Sequence, residues 1–185
     1  MNKFTKVVIL GGTGFIGAQL ATKLSPKSEK IIIPTRNIES NSGLKMIPNL
    51  EIARIDIKDE RSINLLFKDA DLVINTVGIL NELNEDNSFD KIHYQVTKKI
   101  SHSIKQNKVK RYLHISSLNA DPKSIGKYLK SKGKAEDFLL SETSSFCKIT
   151  IFRPSIVFGE SDSFFNKFAT LLKFLPVFPL ACPNA

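Results

Sequence analysis

Tyr128 and Lys132 are four residues apart, and a phenol and an ammonium at this spacing could do acid–base chemistry together. On a helix they would share one face, about one turn from each other. A phenol with a pKa near 10 is a weak base at neutral pH. A cation within about 4–6 Å favours the phenolate by roughly one to three pKa units. The spacing therefore predicts an activated phenol or, alternatively, an ordinary solvated basic helix.

The elements that would position these two side chains follow from the hydrophobic pattern. Short runs rich in valine and isoleucine predict strands, and amphipathic stretches between them predict helices. The predicted strands are 6–10, 30–34, 50–55, 71–77, 111–116 and 148–154. This alternation predicts the α/β class: a Rossmann-type doubly wound parallel sheet with helices on both faces and strand order 3-2-1-4-5-6. Ligands of such sheets bind beyond the carboxyl ends of the strands.

The predicted helices carry apolar residues at steps of three and four. They comprise 15–24, a helix with 63–67 that Asp59 could cap, 89–104 after Ser88, a helix that carries Tyr128, and 164–172.

A glycine-rich turn joins the first predicted strand to the first predicted helix. In VVILGGTGFIG, Gly11, Gly14 and Gly17 are three apart, and Gly12 with the last two matches GxGxxG. Between a strand and a helix, this pattern is typical of a turn that binds a diphosphate against a helix N-terminus. We expect cofactor contacts from Gly11, Thr13, Gly14, Phe15, Ile16 and Gly17. The alternative is a plain glycine turn.

The end of the second predicted strand bears on which dinucleotide would bind. An NAD site needs Asp or Glu roughly 20 residues after the glycines, to hold the ribose 2′-hydroxyl. Here the sequence reads IIIPTRN, with no acid and with Arg36 in that place. A guanidinium suits a 2′-phosphate, so NADP(H) is favoured and NAD(H) is the alternative. Arg36 could instead be a solvated loop residue at an unselective site.

Two further strand ends are candidates for cofactor contact. Asp56 follows the third strand and could accept a hydrogen bond from an adenine amino group, with Ile57 packing on the ring. Asp56 could equally cap the next helix. The small residues that end the fourth strand would let the chain pass close to the cofactor; they are Asn75, Thr76, Val77 and Gly78.

Ser116 and Ser117 end the fifth predicted strand, about a dozen residues before Tyr128. With the glycine turn upstream, this order resembles the short-chain dehydrogenase/reductase superfamily. There the tyrosine is the general acid/base, the lysine lowers its pKa and binds the nicotinamide ribose, and the serine steadies the substrate oxygen. The resemblance assigns these roles to Tyr128, Lys132 and Ser117, with Ser116 as the alternative serine. It also implies cofactor contacts from Ser116, Tyr128 and Lys132.

Longer motifs narrow the resemblance. GGTGFIG, SLNADPKSIGKYLKSKGKAE and FRPSIVFG are similar to the atypical branch that contains the nucleotide-binding accessory subunit of respiratory complex I and its bacterial homologues. In that branch Pro154 and Ser155 would lie near the nicotinamide. Where many relatives carry a helix asparagine, this chain has HYQ at 93–95. Relatives are longer, which implies an NAD(P)-binding domain over 1–160 and the start of a truncated substrate-covering region over 161–185.

The resemblance implies that the chain binds NADP(H). Its role would be nucleotide binding or structural, with little catalytic turnover. One alternative is an active NAD(P)-dependent oxidoreductase or sugar-nucleotide epimerase/dehydratase that uses Ser117, Tyr128 and Lys132. Another is a non-catalytic NADP(H) redox sensor. The expected partners are the dinucleotide, a small-molecule substrate of unknown identity, and respiratory complex I or another protein. The expected location is cytoplasmic, or peripheral at a membrane face through a protein complex.

Composition limits the other classes of function. The formal net charge is +9 over 185 residues, but the lysines are scattered, so no nucleic-acid partner is expected. No run reaches the ~18 apolar residues of a membrane span, and MNKFTKVVILGG does not resemble a signal peptide. Cys147 and Cys182 are far apart, which fits a reducing compartment. The three histidines lack metal-ligand spacing, so no metal site is expected, and they are interpreted as surface or packing residues.

Overall fold

A computed structural model describes residues 3–159 and 162, and at residues 40–42 the backbone alone. The strands are β1 Phe4–Leu10, β2 Ser28–Thr35, β3 Leu50–Arg54, β4 Leu72–Asn75, β5 Arg111–Ile115 and β6 Lys148–Phe152. All neighbours in the sheet are parallel, in the order β3-β2-β1-β4-β5-β6. The predicted fold class and strand order are confirmed.

The α-helices are α1 Phe15–Leu24, α2 Glu60–Phe67, α3 Val96–Gln106 and α4 Lys127–Phe138. A π-helical segment, Asp90–Gln95, runs directly into α3, and a second, Leu139–Thr143, follows α4. Short 3-10 turns cover Ser25–Lys27, Glu39–Met46 and Glu85–Asn87. The predicted helix over 164–172 lies outside the described residues. No helix in the described part of the chain is long and apolar enough to cross a membrane.

The core lies on both faces of the sheet. Val7 and Ile9 of β1 pack in the cluster that includes Ala21 of α1. Val8 and Leu10 belong to the opposite cluster, which α2 and α3 complete. Successive side chains of a strand point to opposite faces, so the run Val7–Leu10 of β1 is buried and apolar on both faces, as expected for a parallel sheet covered on both sides.

Four predicted strands, the third to the sixth, end earlier in the structure, and the fourth and sixth, which lose two residues each at this end, do so for visible local reasons. The fourth ends at Asn75 because the Asn75 side-chain oxygen accepts the Val77 N–H at 3.0 Å, which turns the chain out of the ladder. The sixth ends at Phe152, immediately before Arg153 forms an ion pair with Glu136 of α4.

The chain divides into one compact unit over 1–154 and another over 155–185. Of the second, residues 155–159 and 162 are described, and there the Gly159 N–H donates to the Asp162 carboxylate at 3.2 Å. The predicted boundary at residue 160 stays a prediction, and the region predicted over 161–185 lies outside the described residues except for Asp162.

Candidate dinucleotide-binding site

The register of the sheet brings the predicted strand ends to one edge. Leu10 pairs with Asn75, and Asn75 pairs with His114. On the other side of β1, Thr35 pairs with Arg54. The segments that follow β1 to β5 therefore meet beyond the carboxyl edge of the sheet, where ligands of doubly wound folds bind.

The turn after β1 and the first turn of α1 each require a glycine. Gly11 has φ +74°, and a Cβ there would lie 2.7 Å from the Thr76 hydroxyl oxygen. A Cβ on Gly17 would overlap the Gly11 carbonyl oxygen and the Gly12 Cα. The turn is therefore pressed against the segment after β4, and α1 begins in close contact with the turn itself.

The N-terminus of α1 suits an anion. Its N-cap residue is Gly14, no side chain caps it, and no acidic residue lies in its first turn. The first N–H groups of a helix have no partner within the helix, and the positive end of its dipole lies there. A diphosphate is the kind of group that such a turn binds.

A cleft of about 320 Å³ opens beside this turn. It brings together nine of the predicted cofactor contacts: Gly11, Thr13, Gly14, Arg36, Asp56, Ile57, Thr76, Val77 and Gly78. Its other lining residues are Pro34, Thr35, Ile55, Lys58, Ile79, Asn87 and Ile92. Phe15, Ile16, Gly17 and Asn75 do not line it: the first three belong to α1, and Asn75 is buried beneath the loop that its side chain holds.

Arg36 is exposed and lines the cleft in the loop after β2. Within this loop the Thr35 hydroxyl accepts the Asn37 N–H at 3.2 Å, and the Asn37 side-chain oxygen accepts the Glu39 N–H at 3.0 Å. These bonds give the loop a defined shape without using the guanidinium. Arg36 is therefore available to an anionic ligand in the cleft.

Asp56 also lines the cleft, and of its two interpretations, an acceptor for the adenine amino group or a cap of the next helix, the structure excludes the cap. The cap of α2 is Asp59, whose carboxylate accepts the N–H groups of Arg61 and Ser62. Asp56 instead accepts the Lys58 N–H at 2.9 Å and remains exposed.

Lys58 is a lining residue that the sequence analysis missed. Its ammonium donates to the Asp86 carbonyl at 2.7 Å and to the Asn87 side-chain oxygen at 3.0 Å. It thereby ties the loop after β4 to the loop after β3, on either side of the cleft. Because its partners are almost thirty residues away, no local pattern could have indicated this.

Lys132 belongs to α4 and, like Ser116, Tyr128 and Pro154, does not line the cleft. It is 3 % exposed, and its ammonium donates to the Ile115 carbonyl at 3.2 Å. A Cβ built on Gly78 would lie 3.4 Å from the Lys132 nitrogen, so the amine borders the loop that lines the cleft. Burial lowers the pKa of Lys132 to about 8, and the Glu136 carboxylate partly opposes that shift.

Tyr128 is half-buried between two rings. It packs edge-on against Phe89, with ring centroids 5.6 Å apart, and against His93 at 5.4 Å. Of the two serines, Ser117 is half-buried and donates to the Leu118 carbonyl at 3.3 Å. Ser116 is buried, and its hydroxyl has no hydrogen-bond partner among the described residues.

Pro154 is positioned by a buried carboxylate. Glu136 is 2 % exposed and accepts two hydrogen bonds from Arg153 Nε, at 2.9 and 3.1 Å. This hydrogen bonding raises the pKa of Arg153. The next residue, Pro154, accepts the Leu118 N–H at 2.8 Å. The segment after β6 is thus held beside the segment that carries the serines.

The three histidines were interpreted as surface or packing residues, and two of them make contacts beyond that interpretation. His93 is a packing residue, but both of its ring nitrogens are hydrogen-bonded, next to Tyr128 and Lys132. His102 has an acidic partner that the sequence analysis missed: its Nδ1 lies 3.3 Å from the Glu60 carboxylate. Burial is the first cause of the lowered pKa of His114, about 3. Among the described residues no cluster of His, Cys, Asp or Glu could hold a metal ion.

Cys147 lies in the core, and burial raises the pKa of its thiol to about 11. A thiol in this state is a poor nucleophile, so no part of the candidate site depends on it. Cys182 lies outside the described residues.

Known proteins are similar to this chain in sequence and in fold. A family model described as NAD(P)H-binding matches residues 11–163. The chain is 32% identical over 174 residues to "NADH dehydrogenase (ubiquinone) 1 alpha subcomplex subunit 9, mitochondrial" of Mus musculus, covering 91% of this chain and 45% of that protein. It is 27% identical over 170 residues to the "NADH-ubiquinone oxidoreductase 40 kDa subunit, mitochondrial" of Neurospora crassa, covering 90% and 44%. The chain thus spans less than half the length of these relatives.

Among solved structures, the fold matches UDP-glucuronic acid 4-epimerase from Bacillus cereus in complex with NAD. The TM-score is 0.70 with 20% identity, over 84% of this chain and 58% of that one. At this identity the match shows the fold alone. The family model, by contrast, covers most of the chain, including the glycine turn, the residues that line the cleft, and the helix that carries Tyr128 and Lys132. This chain belongs to the NAD(P)H-binding family.

Proposed function

We propose that the chain binds NADP(H) along the carboxyl edge of the sheet. Its role would be chiefly to bind the nucleotide, with little catalytic turnover, like the complex I accessory subunit that it resembles. The observation that carries this proposal is Arg36 in the cleft at the end of β2, where an NAD site would have an acid. The domain that binds the dinucleotide would be 1–160, with 161–185 beginning a further region.

The adenosine half of the cofactor would occupy the cleft. The turn of Gly11 and Gly14 would receive the diphosphate at the N-terminus of α1. Arg36 would bind the 2′-phosphate, because a guanidinium is a planar and permanently charged donor. Asp56 would accept from the adenine amino group, with Ile57 against the ring.

The nicotinamide half would lie toward α4. Lys132 borders Gly78 and could donate to the ribose there. When bound, the cofactor supplies hydride transfer. Tyr128 would hold the proton that such a transfer requires, and Ser117, the more accessible of the two serines, would orient a substrate oxygen.

A second candidate function is an active oxidoreductase or sugar-nucleotide epimerase/dehydratase acting on a small molecule. The buried Lys132, with a pKa of about 8, favours it. Groups whose pKa is shifted by burial concentrate at catalytic sites. Turnover of a carbonyl or alcohol substrate would distinguish this function from nucleotide binding alone.

The names of the relatives in mouse and Neurospora crassa place them in NADH dehydrogenase or NADH-ubiquinone oxidoreductase. We propose a corresponding partnership for this chain: peripheral association, through protein contacts, with a respiratory complex at a membrane face.

The test of the cofactor assignment is a titration of Arg36→Leu with NADPH and NADH. Loss of a charged partner for the 2′-phosphate should weaken NADPH binding by about ten- to a hundredfold, with NADH binding almost unchanged. Arg111→Leu is the matched control, since Arg111 is exposed at the start of β5, at the opposite edge of the sheet. Equal affinity of the wild-type chain for the two cofactors would contradict the assignment.

A further inference from the structure

His93 connects two parts of the site that are distant in sequence. Its Nε2 lies 3.0 Å from the Ile79 backbone nitrogen, and its Nδ1 lies 2.8 Å from the Ser131 hydroxyl oxygen. A backbone N–H can only donate, so Nε2 accepts and the proton of the neutral ring is on Nδ1. Nδ1 therefore donates to Ser131, whose hydroxyl donates in turn to the Tyr128 carbonyl at 2.8 Å.

Both ends of this chain of hydrogen bonds belong to the candidate site. Ile79 lines the cleft and follows Gly78, which borders the Lys132 amine. Ser131 directly precedes Lys132 in α4 and is one turn from Tyr128. His93 therefore joins the loop after β4 to the turn of α4 that carries the predicted acid/base pair.

The backbone and the rings around His93 hold its orientation. It lies in the π-helical segment Asp90–Gln95, and its carbonyl accepts the Thr97 hydroxyl at 2.6 Å. Phe89 stacks on the imidazole with centroids 5.5 Å apart and an interplanar angle of 23°. Tyr128 meets the same ring edge-on.

The ring is also held neutral. Burial, and then the charge of Lys132, lower the pKa of His93 to about 3. A neutral imidazole has one acceptor and one donor, which are the two roles that Ile79 and Ser131 require. Protonation would place a second donor against the Ile79 N–H.

We propose that His93 is a positioning residue: by accepting from Ile79 and donating to Ser131, it holds the loop after β4 at the distance from α4 that the nicotinamide half of a dinucleotide needs. This role rests on the proposed NADP(H) binding. It differs from simple core packing because it concerns one half of the ligand site, whereas a packing defect would weaken the site as a whole.

The test compares two ligands. Adenosine 2′,5′-bisphosphate carries the adenosine half of NADPH and the 2′-phosphate, and NADPH adds the nicotinamide half, whose fluorescence reports on its surroundings. In His93→Phe, we expect the affinity for the bisphosphate to stay within about twofold and the affinity for NADPH to fall about tenfold, the effect of one or two lost hydrogen bonds. The fluorescence change of bound NADPH should shrink as well.

Two more variants make the test independent of the ring. Ser131→Ala removes a single oxygen and should give the same selective loss for NADPH, which decides the matter if His93→Phe does not fold. His93→Gln keeps an oxygen that can accept from Ile79, so it should recover part of the NADPH affinity. His102→Phe is the control, an exposed histidine of α3, and should change neither ligand's binding.

Equal losses for both ligands in His93→Phe and Ser131→Ala, or no loss for either, would overturn the positioning role while leaving the proposed function intact. If the wild-type chain bound neither the bisphosphate nor NADPH, the proposed function would fall, and the role of His93 with it.

Discussion

At the scale of single residues, the candidate site is defined by charges in unusual surroundings. Lys132 is almost fully buried, and its neighbour on the same helix face is the buried Glu136, four residues on. The Glu136 carboxylate in turn accepts a hydrogen bond from the Arg153 guanidinium. A buried ammonium destabilises a fold unless its surroundings compensate for the lost hydration. Its presence beside the cleft is therefore an indication of function.

This burial gives a prediction for Lys132→Met. The pKa of Lys132 is about 8 in the folded chain, against about 10.4 when unfolded. The folded state therefore binds fewer protons between these values, and stability rises with pH through that window. The shift corresponds to about 3 kcal/mol of destabilisation below pH 8. Since methionine also loses the bond to Ile115, we expect the variant to be more stable by about 2 kcal/mol at pH 7.

Urea unfolding as a function of pH measures this effect. The advantage of Lys132→Met should shrink above pH 8 and be gone by about pH 10.5, where the wild-type lysine is neutral in the folded state and close to its own pKa in the unfolded state. Lys130→Met, on the exposed side of α4, is the control and should stay near wild type at every pH. A variant less stable than wild type at pH 7 would show that the buried ammonium is not a cost.

What the sequence could predict at this scale depended on how local the signal was. The spacing of Tyr128 and Lys132 placed both on one helix. Nothing in the sequence, however, indicated that Lys132 is buried while Lys127 and Lys130 are exposed. The roles of Lys58 and His93 depend on partners in other loops and helices. Such contacts appear only when the chain is folded.

At the scale of elements, the glycine turn was the part of the site best predicted from sequence. Its pattern reflects backbone contacts within a few residues, so local spacing contains most of the information. The boundaries of β4 and β6 were less predictable, because the Asn75 side chain and the Arg153–Glu136 pair decide them. The π-helical start of the third helix was also missed, since its apolar stripe continues unbroken into α3.

Gly17 in the first turn of α1 and Gly14 at its N-cap should separate folding from binding. At Gly17 an added methyl group would overlap the backbone of Gly11 and Gly12, so Gly17→Ala should lower stability by about 1–3 kcal/mol through overpacking. At Gly14 the methyl group would lie 3.3 Å from the Gly11 carbonyl oxygen, a close contact that a small shift relieves. Gly14→Ala should therefore fold almost normally but obstruct the diphosphate.

Thermal unfolding and NADPH titration of both variants would check this difference. We expect a lower melting temperature in Gly17→Ala, and in Gly14→Ala a near-normal melting temperature with at least tenfold weaker NADPH binding. Gly43→Ala is the control, because a Cβ there meets no atom within 4 Å. Unchanged NADPH binding in Gly14→Ala would mean that the diphosphate does not lie against this turn.

At the scale of the whole molecule, strand–helix alternation and right-handed crossovers were enough to predict the strand order. In the proposed binding mode the two halves of the site come from opposite sides of β1: the segments after β2 and β3 would supply the adenosine side, while the segments after β4 and β5, with α4, would supply the nicotinamide side. A ligand that spans this edge should stabilise the chain more than either half of it.

Thermal shifts with matched ligands test this expectation. At a hundred times its dissociation constant, NADPH should stabilise the folded state by about 2.7 kcal/mol, which corresponds to roughly 5–10 °C for a chain of this size. At the same concentration, adenosine 2′,5′-bisphosphate should give a smaller shift, and reduced nicotinamide mononucleotide almost none. A shift from the bisphosphate as large as that from NADPH would mean that the nicotinamide half makes no contact.

The most direct test is a crystal structure of the chain with NADPH bound. The account predicts the diphosphate against Gly11 and Gly14 at the start of α1, the 2′-phosphate on Arg36, and the nicotinamide ribose within hydrogen-bond reach of Lys132, beside Tyr128. A dinucleotide bound elsewhere, or one whose 2′-phosphate points away from Arg36 into solvent, would contradict it.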